Sequence, residues 1–223
     1  MTLATQVATS DLTAVLARDA RADAKLDAKL DAKLDAESRA LPALKTARLM
    51  LRAPVRGDVA NIVAFAGDRR VAENTARIPH PYTDADAVAI IAAINRAGGE
   101  TVFAIELNGA LIGMCGLDPR PDGAEFGYWL GVPFWRQGYA TEAARAVIDY
   151  GFGALGHQVL YSGARVSNPA SRRVLEKCGF QWTGVQLCRI RAINSAAPID
   201  RFRLDRGLWA SLKTWGATKF IAL

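Results

Sequence analysis

The chain has 223 residues, of which 51% are hydrophobic and 22% are charged. This balance is typical of a folded domain with a sizeable core and excludes a disordered polyampholyte. We find no uncharged apolar run of membrane-spanning length and no basic cluster followed by an apolar run, so we expect no membrane span, no secretory signal and a cytoplasmic location. The three cysteines form no CxxC pair and accompany only two histidines, which argues against a disulfide framework and against a metal site.

The net charge of +6 is unevenly distributed along the chain. Residues 161–223 carry 11 Lys and Arg against 3 Asp and Glu, whereas the first 160 residues carry a small negative excess. A basic segment of this kind suits a phosphorylated cofactor, a nucleic acid or an acidic protein, and a solvated basic surface is equally compatible with it. Composition alone leaves these alternatives open.

The first predicted segment, residues 1–43, is a low-complexity extension. Three copies of Asp-Ala-Lys-Leu occupy residues 23–34. Ala and Leu favour a helix, but the period of four places like charges at i and i+4, where they repel each other. We therefore predict a marginally helical extension without a catalytic role, with partner docking as the alternative, ahead of a folded domain at 44–223.

From residue 44 the hydrophobic pattern predicts a mixed α+β sheet. The predicted order is a strand, two helices, three strands, a helix, a strand, a helix and two strands. Their bounds are 48–52, 58–66, 84–97, 101–107, 110–117, 124–130, 140–150, 159–166, 168–179, 180–193 and 199–205. Asp58 is the predicted N-cap of the first helix. Asn108-Gly109 is a strong signal for a tight hairpin, and a turn at 118–123 completes a meander of three antiparallel strands.

A candidate anion site lies between the strand 124–130 and the helix that follows it. Backbone N–H groups can converge at the N-terminus of this helix, where the helix dipole contributes about half a positive charge. The residues concerned are Gln137, Gly138, Tyr139, Ala140 and Thr141. Gly138 lets the main chain approach a ligand closely. The segment lacks the patterns of a Walker loop and of a dinucleotide fingerprint, and an ordinary strand-to-helix turn is the alternative.

Four ordered blocks give the chain a resemblance to a known family. They are 46–52 (TARLMLR), 124–130 (AEFGYWL), 134–143 (FWRQGYATEA) and 168–180 (NPASRRVLEKCGF). Over residues 44–210 the chain resembles the GNAT superfamily of acyl-CoA-dependent N-acyltransferases, in particular the RimJ/RimL-like branch of ribosomal-protein N-acetyltransferases, which includes ribosomal-protein-alanine N-acetyltransferases. The resemblance implies a mixed, mostly antiparallel twisted sheet flanked by helices, with a splayed strand pair that holds acetyl-CoA.

The resemblance also implies how the pantetheine arm of acetyl-CoA is held. The unpaired backbone of a splayed strand at 129–132, with Leu130 and Val132, would form hydrogen bonds to it. Pro133 is consistent with a break in strand pairing at this point. Asn168 resembles the family asparagine that contacts the pantetheine region.

The predicted helix N-terminus resembles the family's phosphate motif. Gly138 and Ala140 match that motif, but Trp135 occupies the position where the family has Gln or Arg. Because the phosphates are held mainly by backbone donors, this departure changes little, and Arg136 is a candidate for the missing charge. The resemblance thus implies that Arg136 and the five residues after it bind the phosphates of acetyl-CoA.

Acetyl transfer from a thioester to an amine needs a neutral amine and a stabilised thiolate. Glu125 aligns with the carboxylate that several family members use as a base, and a pKa raised by burial would suit this task. Tyr128 is a candidate for a proton relay, and Ser171 can reach the sulfur end of the cofactor. Some family branches have an acidic tyrosine where this chain has Leu175, so Ser171, Tyr128 or a water would protonate the thiolate, unless no dedicated acid is needed.

These observations predict an acetyl-CoA-dependent N-acetyltransferase that acts on a primary amine and uses no metal. The resemblance favours the N-terminal α-amine of a protein, including a ribosomal one, as the acceptor. A small-molecule amine acetyltransferase and a non-catalytic CoA-binding regulatory module are the alternatives. An RNA-binding protein lacks support, because the chain has neither an RNP nor a KH signature, so nucleic-acid contact would be incidental. Both a monomer and a homodimer are compatible with the sequence.

Overall fold

The fold is given by a computed structural model that describes residues 41–94 and 100–217, with side chains to residue 214. These residues belong to one compact unit. Residues 1–40 of the predicted extension and the end of the predicted helix 84–97 lie outside the described residues. In the described part of the chain, no helix is both long enough and apolar enough to span a bilayer.

The centre of the fold is one sheet, which has eight strands within the described ranges. They are β1 Leu44–Lys45, β2 Met50–Arg52, β3 Thr101–Leu107, β4 Ala110–Arg120, β5 Gly123–Leu130, β6 Val159–Arg165, β7 Gln181–Ile190 and β8 Ser195–Asp205. Their spatial order is β1-β2-β3-β4-β5-β6-β8-β7. Neighbouring strands are antiparallel, except that β5 and β6 run parallel.

Helices cover both faces of this sheet. Among the described residues they are α1 Val59–Ala66, α2 Arg69–Ala72, α3 Asp84–Ile94, α4 Tyr139–Gly153, α5 Pro169–Lys177 and α6 Arg206–Ala217. One apolar cluster joins α4 and α5 to the sheet and includes Phe126 and Val147. A second cluster joins α1 and α3 to the sheet and includes Ile62 and Met114. The predicted α+β fold, with a mostly antiparallel mixed sheet flanked by helices, is confirmed.

The hairpin between β3 and β4 forms as predicted. Asn108 and Gly109 have φ of 51° and 83°, the left-handed backbone that a tight two-residue turn requires. The predicted turn at 118–123 is shorter, because β4 continues to Arg120. β1 and α2 were not predicted, because they are too short for periodicity to reveal. The helix α6, which follows β8 without a loop, was not predicted either.

Asp58 does not cap α1 as predicted. The residue is 4% exposed, and no side-chain hydrogen bond caps the helix. Its carboxylate instead accepts hydrogen bonds from the Arg52 guanidinium at 2.7 and 2.8 Å and from the backbone N–H of Val55 at 2.9 Å. Asp58 therefore ties β2 to the start of α1, and the pKa of Arg52 is raised, mainly by its hydrogen bond to Asp58.

Asp58→Ala is expected to lower the free energy of unfolding by about 2 kcal/mol, because it removes the charged hydrogen bonds that the buried Asp58 carboxylate accepts from Arg52, while Arg52 keeps Glu106 as a partner. Urea unfolding followed by circular dichroism measures the change. Asp68→Ala is the control: Asp68 caps α2 and pairs with the exposed Arg70, so its loss should cost only about 1 kcal/mol. Equal losses for both variants would contradict the role assigned to Asp58.

Candidate functional site

The parallel strands β5 and β6 separate part of the way along their length. They pair only where Ala124–Phe126 lies beside Leu160–Ser162, although β5 continues to Leu130 and β6 to Arg165. At the point of separation the buried Ser162 hydroxyl donates a hydrogen bond of 2.9 Å to the Phe126 carbonyl. We call the gap between residues 127–130 and 163–165 the fork. It begins earlier than the predicted splay at 129–132.

The backbone of β5 presents hydrogen-bonding groups to the fork. Gly131 donates its N–H to the Ile112 carbonyl of β4 at 2.9 Å. Because backbone groups of an antiparallel strand alternate between its two sides, those of Tyr128 and Leu130 point away from β4 and into the fork. The Leu130 carbonyl accepts a hydrogen bond of 2.8 Å from the Trp135 indole. Val132 is not extended as predicted, since it begins the 3-10 turn Val132–Phe134.

A cavity of about 920 Å³ reaches the fork. Trp129, which packs with the α1 and α3 cluster, lines it from one face of the sheet. Tyr128, which packs with the α4 and α5 cluster, and Ser171 of α5 line it from the other face. The opening therefore passes through the sheet, so that molecules bound on opposite faces can meet there.

Tyr128 and Ser171 form a hydrogen-bonded pair at this opening. The Tyr128 phenol donates to the Ser171 hydroxyl at 3.0 Å. Burial raises the pKa of Tyr128 to about 12, so the phenol keeps its proton at neutral pH. Asn168 positions Ser171, because its side-chain oxygen accepts from the Ser171 N–H at 3.1 Å and caps α5. Leu175 is fully buried and contributes no polar group.

Glu125 lies on the wall of the cavity between two arginines. Its carboxylate accepts hydrogen bonds from Arg120 at 2.7 Å and from Arg201 at 3.0 Å. Burial acts to raise the pKa of Glu125, but the hydrogen bonds and charges of the two arginines outweigh it and lower the pKa. The pKa raised by burial that would suit a base is therefore not found, and Glu125 is ionised at neutral pH.

Glu125 and its two arginines belong to a longer series of ion pairs along the cavity wall. We call this series the ion-pair ladder; its members are Glu100, Arg77, Asp118, Arg120, Glu125 and Arg201. Arg77 pairs with Glu100 and lies 3.9 Å from Asp118, which in turn lies 3.2 Å from Arg120. Arginines thus neutralise Glu100, Asp118 and Glu125. Within the described ranges, no group of three or more His, Cys, Asp or Glu residues could hold a metal ion.

The loop before α4 has the geometry of an anion site. Arg136 and Gly138 have left-handed φ of 61° and 85°, and α4 begins at Tyr139. Among the described residues, no protein acceptor takes a hydrogen bond from the backbone N–H groups of residues 136–141. We call this segment the α4 loop. It contains the predicted phosphate-binding residues Arg136, Gln137, Gly138, Tyr139, Ala140 and Thr141.

Residues outside the α4 loop that hold it in place were not predicted from the sequence. The Arg48 guanidinium donates to the Gln137 carbonyl at 2.9 Å and lies 4.4 Å from the centre of the Tyr139 ring. Glu142, in the first turn of α4, accepts from Arg48 at 2.7 Å and from the Thr46 hydroxyl at 2.6 Å. The partners are more than 85 residues apart, so no local sequence pattern could have indicated these contacts.

Comparison with known proteins places the chain in a family. Residues 48–181 match the family model of the acetyltransferase (GNAT) domain. The uncharacterized N-acetyltransferase YoaA of Bacillus subtilis strain 168 is 34% identical over 152 residues, which are 65% of this chain and 85% of YoaA.

Two solved structures share the fold. Mycobacterium smegmatis RimJ in complex with CoA-disulfide has a TM-score of 0.65 at 19% identity, over 78% of this chain and 93% of RimJ. Vibrio cholerae spermidine N-acetyltransferase in complex with CoA and spermine has a TM-score of 0.64 at 22% identity, over 73% of this chain and 98% of that protein. The chain belongs to the GNAT acetyltransferase family, and it is an N-acetyltransferase that uses acetyl-CoA as its acetyl donor.

Proposed function

We propose that this enzyme acetylates the N-terminal α-amine of a protein or peptide, including a ribosomal one. The observation that carries the proposal is the opening through the sheet at the fork, which joins the Tyr128–Ser171 pair on one face to the cavity on the other. A cavity of about 920 Å³ has room for the first residues of an extended peptide. The N-terminal amine can then reach a thioester held on the opposite face.

The charges in the cavity favour a peptide over a polyamine as the acceptor. Each carboxylate on the cavity wall has a protein partner: Glu100, Asp118 and Glu125 pair with arginines, Asp86 binds Thr83, and Asp122 binds Tyr161. A polyamine carries several positive charges and needs an excess of carboxylates, whereas the described lining of this cavity has five arginines for its five carboxylates and so has no net negative charge. An α-amine carries one charge and loses it before it reacts.

The residues around the fork fit the acetyl donor, which supplies the acetyl group as a thioester. We propose that the backbone of Tyr128 and Leu130 binds the pantetheine arm, with Val132 and Asn168 at its edges. The N–H groups of the α4 loop would bind the diphosphate, since they are directed to no acceptor in the part of the chain that the structure describes and lie at a helix N-terminus. Trp135 already binds the Leu130 carbonyl, so a pantetheine amide would share or replace that bond.

We propose that Glu125 accepts the proton that the amine loses as the new C–N bond forms. A free α-amine has a pKa of about 8, far above the lowered pKa of Glu125. Glu125 is therefore a poor base for a free ammonium ion, and the acceptor must bind as a neutral amine. The ladder keeps Glu125 ionised and ready to take a proton, directly or through water.

We propose that the Tyr128–Ser171 pair donates a proton to the departing thiolate. Tyr128 keeps its proton because burial raises its pKa to about 12. Since the phenol donates to the Ser171 oxygen, the Ser171 hydroxyl hydrogen is free to point toward the sulfur. Donation from Ser171 and replacement of its proton by Tyr128 would form a two-step relay.

We assign the transferase to the region 44–223. A cytoplasmic location and a monomeric or homodimeric state stay predictions from the sequence, as does the membership of the RimJ/RimL-like branch. One of the basic side chains in residues 161–223, that of Arg201, forms an ion pair with Glu125 within the site. Contact with RNA is therefore incidental to the proposed function.

CoA at 1 mM is expected to raise the melting temperature by about 7 °C if its dissociation constant is near 10 μM, because binding then adds about 2.7 kcal/mol to the free energy of unfolding. Thiol release from acetyl-CoA should then be faster with peptides that have free N-termini than with N-terminally blocked peptides or spermidine. Faster turnover of spermidine would favour the small-molecule alternative. Binding of CoA without turnover of any amine would indicate the regulatory module, and no binding at millimolar CoA would contradict the proposal.

A further inference from the structure

The β1–β2 turn, which lies outside the fork and the cavity, makes a dense set of contacts to the α4 loop. Arg48 uses three nitrogen atoms: Nη1 donates to the Gln137 carbonyl, and Nε and Nη2 each lie 2.7 Å from Oε2 of Glu142. The Arg48 N–H donates to the other Glu142 oxygen at 2.8 Å. The Arg48 side chain therefore contacts Gln137, near the start of the α4 loop, and Glu142, which directly follows its last residue.

The contact with the Gln137 carbonyl determines which way the next N–H points. In a planar trans peptide, the carbonyl of one residue and the N–H of the following residue point in opposite directions. When Arg48 holds the Gln137 carbonyl, the Gly138 N–H is turned away from Arg48. A rotation of this peptide would direct the carbonyl, with its partial negative charge, to the side that the N–H now occupies.

Gly138 makes such a rotation easy when nothing restrains it. Its left-handed φ of 85° is accessible to glycine without strain, and glycine adopts many other backbone conformations as readily. The residue is exposed, so packing against it adds little restraint. The restraint described here comes from Arg48, which Glu142 holds in turn.

We infer that Arg48 is a positioning residue for the acetyl donor: it fixes the Gln137–Gly138 peptide so that the N–H faces the diphosphate of CoA. Glu142 supports this role by orienting the guanidinium. Burial acts to raise the pKa of Glu142, but the hydrogen bonds from Thr46 and Arg48 outweigh it and lower the pKa, so the carboxylate stays charged. The inference rests on the proposed binding of the diphosphate at the α4 loop.

The test is the affinity of two probes, CoA and pantetheine, measured by isothermal titration calorimetry. Arg48→Ala should weaken CoA binding about tenfold, the effect of losing an ordered charged hydrogen bond, and leave pantetheine binding within twofold. Arg48→Lys keeps the charge but cannot hold Gln137 and both Glu142 oxygens together, so most of the loss should persist. Lys213→Ala, which removes an exposed positive charge paired with Asp149 of α4, is the matched control and should change neither affinity.

The other outcomes contradict either the positioning role of Arg48 or the proposed site. If Arg48→Lys binds CoA as the wild type does, charge alone explains the effect and the positioning role is wrong. An equal loss for CoA and pantetheine would show a general structural effect and would also overturn the role. If the wild type binds both probes equally, the diphosphate does not lie at the α4 loop, and the proposed site falls together with the inference. Thermal unfolding of Arg48→Ala and Arg48→Lys identifies a variant that fails to fold, and the other variant then decides.

Discussion

Gly138→Asp is expected to weaken CoA binding at least about 100-fold, enough to abolish its thermal stabilisation of the protein. Three effects act together. Gly138 has a φ of 85°, which a residue with a side chain rarely adopts. A Cβ at this position would lie 3.2 Å from Nη2 of Arg48 and disturb the contact that orients the loop. The added carboxylate would also repel the diphosphate at short range.

Gly109→Asp is the matched control for backbone strain. Gly109 has a φ of 83°, and a Cβ there would meet nothing within 4 Å. This variant therefore introduces the same residue in the same left-handed conformation, but in the β3–β4 hairpin. It should lower the melting temperature and retain the full stabilisation by CoA. Thermal melts of both variants with and without CoA separate the two effects, and a normal CoA shift in Gly138→Asp would contradict the anion site.

Glu125→Gln is expected to lower kcat about 100-fold, the usual loss when a group that accepts a proton is removed. The amide is close in shape to the carboxylate but cannot accept the proton of the reacting amine. The dissociation constant for CoA should stay within twofold, because the α4 loop is unchanged. Glu176→Gln makes the same change in an exposed ion pair with Arg172 and should keep full activity. Full activity of Glu125→Gln would show that another group or water accepts the proton.

The pH dependence of the wild type follows from the same geometry. Because the pKa of Glu125 is lowered from its ordinary value of 4.5, the carboxylate is ionised throughout the range above pH 5. The rise of kcat/KM with pH should therefore follow deprotonation of the acceptor amine, with a plateau above about pH 8 for an α-amine and a continued rise toward pH 10 for a lysine-like amine. Tyr128, with a pKa of about 12, contributes no alkaline fall in this range.

Local signals in the sequence were enough to predict much of the scaffold. The Asn108-Gly109 turn and the start of a helix after Gly138 depend on the backbone preferences of a few adjacent residues. These elements appear in the structure within a few residues of their predicted positions. The order of the longer strands and helices between β2 and β8 follows in the same way from periodicity.

The electrostatics of the site could not be predicted, because they depend on residues far apart in the chain. Arg201, which lies 76 residues from Glu125, lowers the pKa of that carboxylate together with the nearby Arg120, against the effect of burial. The point where the fork begins depends on the side chain of Ser162, which is 36 residues from Phe126. Burial alone is a poor guide to a pKa when charged partners come from other elements.

The sheet divides the proposed site into a donor side and an acceptor side, which the opening at the fork connects. On the donor side, the proposed contacts to acetyl-CoA are made by main-chain groups of β5 and the α4 loop, which few substitutions can alter without changing the fold. The acceptor side is walled by side chains of α1, α3 and β7, which can be exchanged one at a time. Substitutions of side chains on the acceptor side can therefore change which amine is bound, while the proposed main-chain contacts to the thioester stay the same.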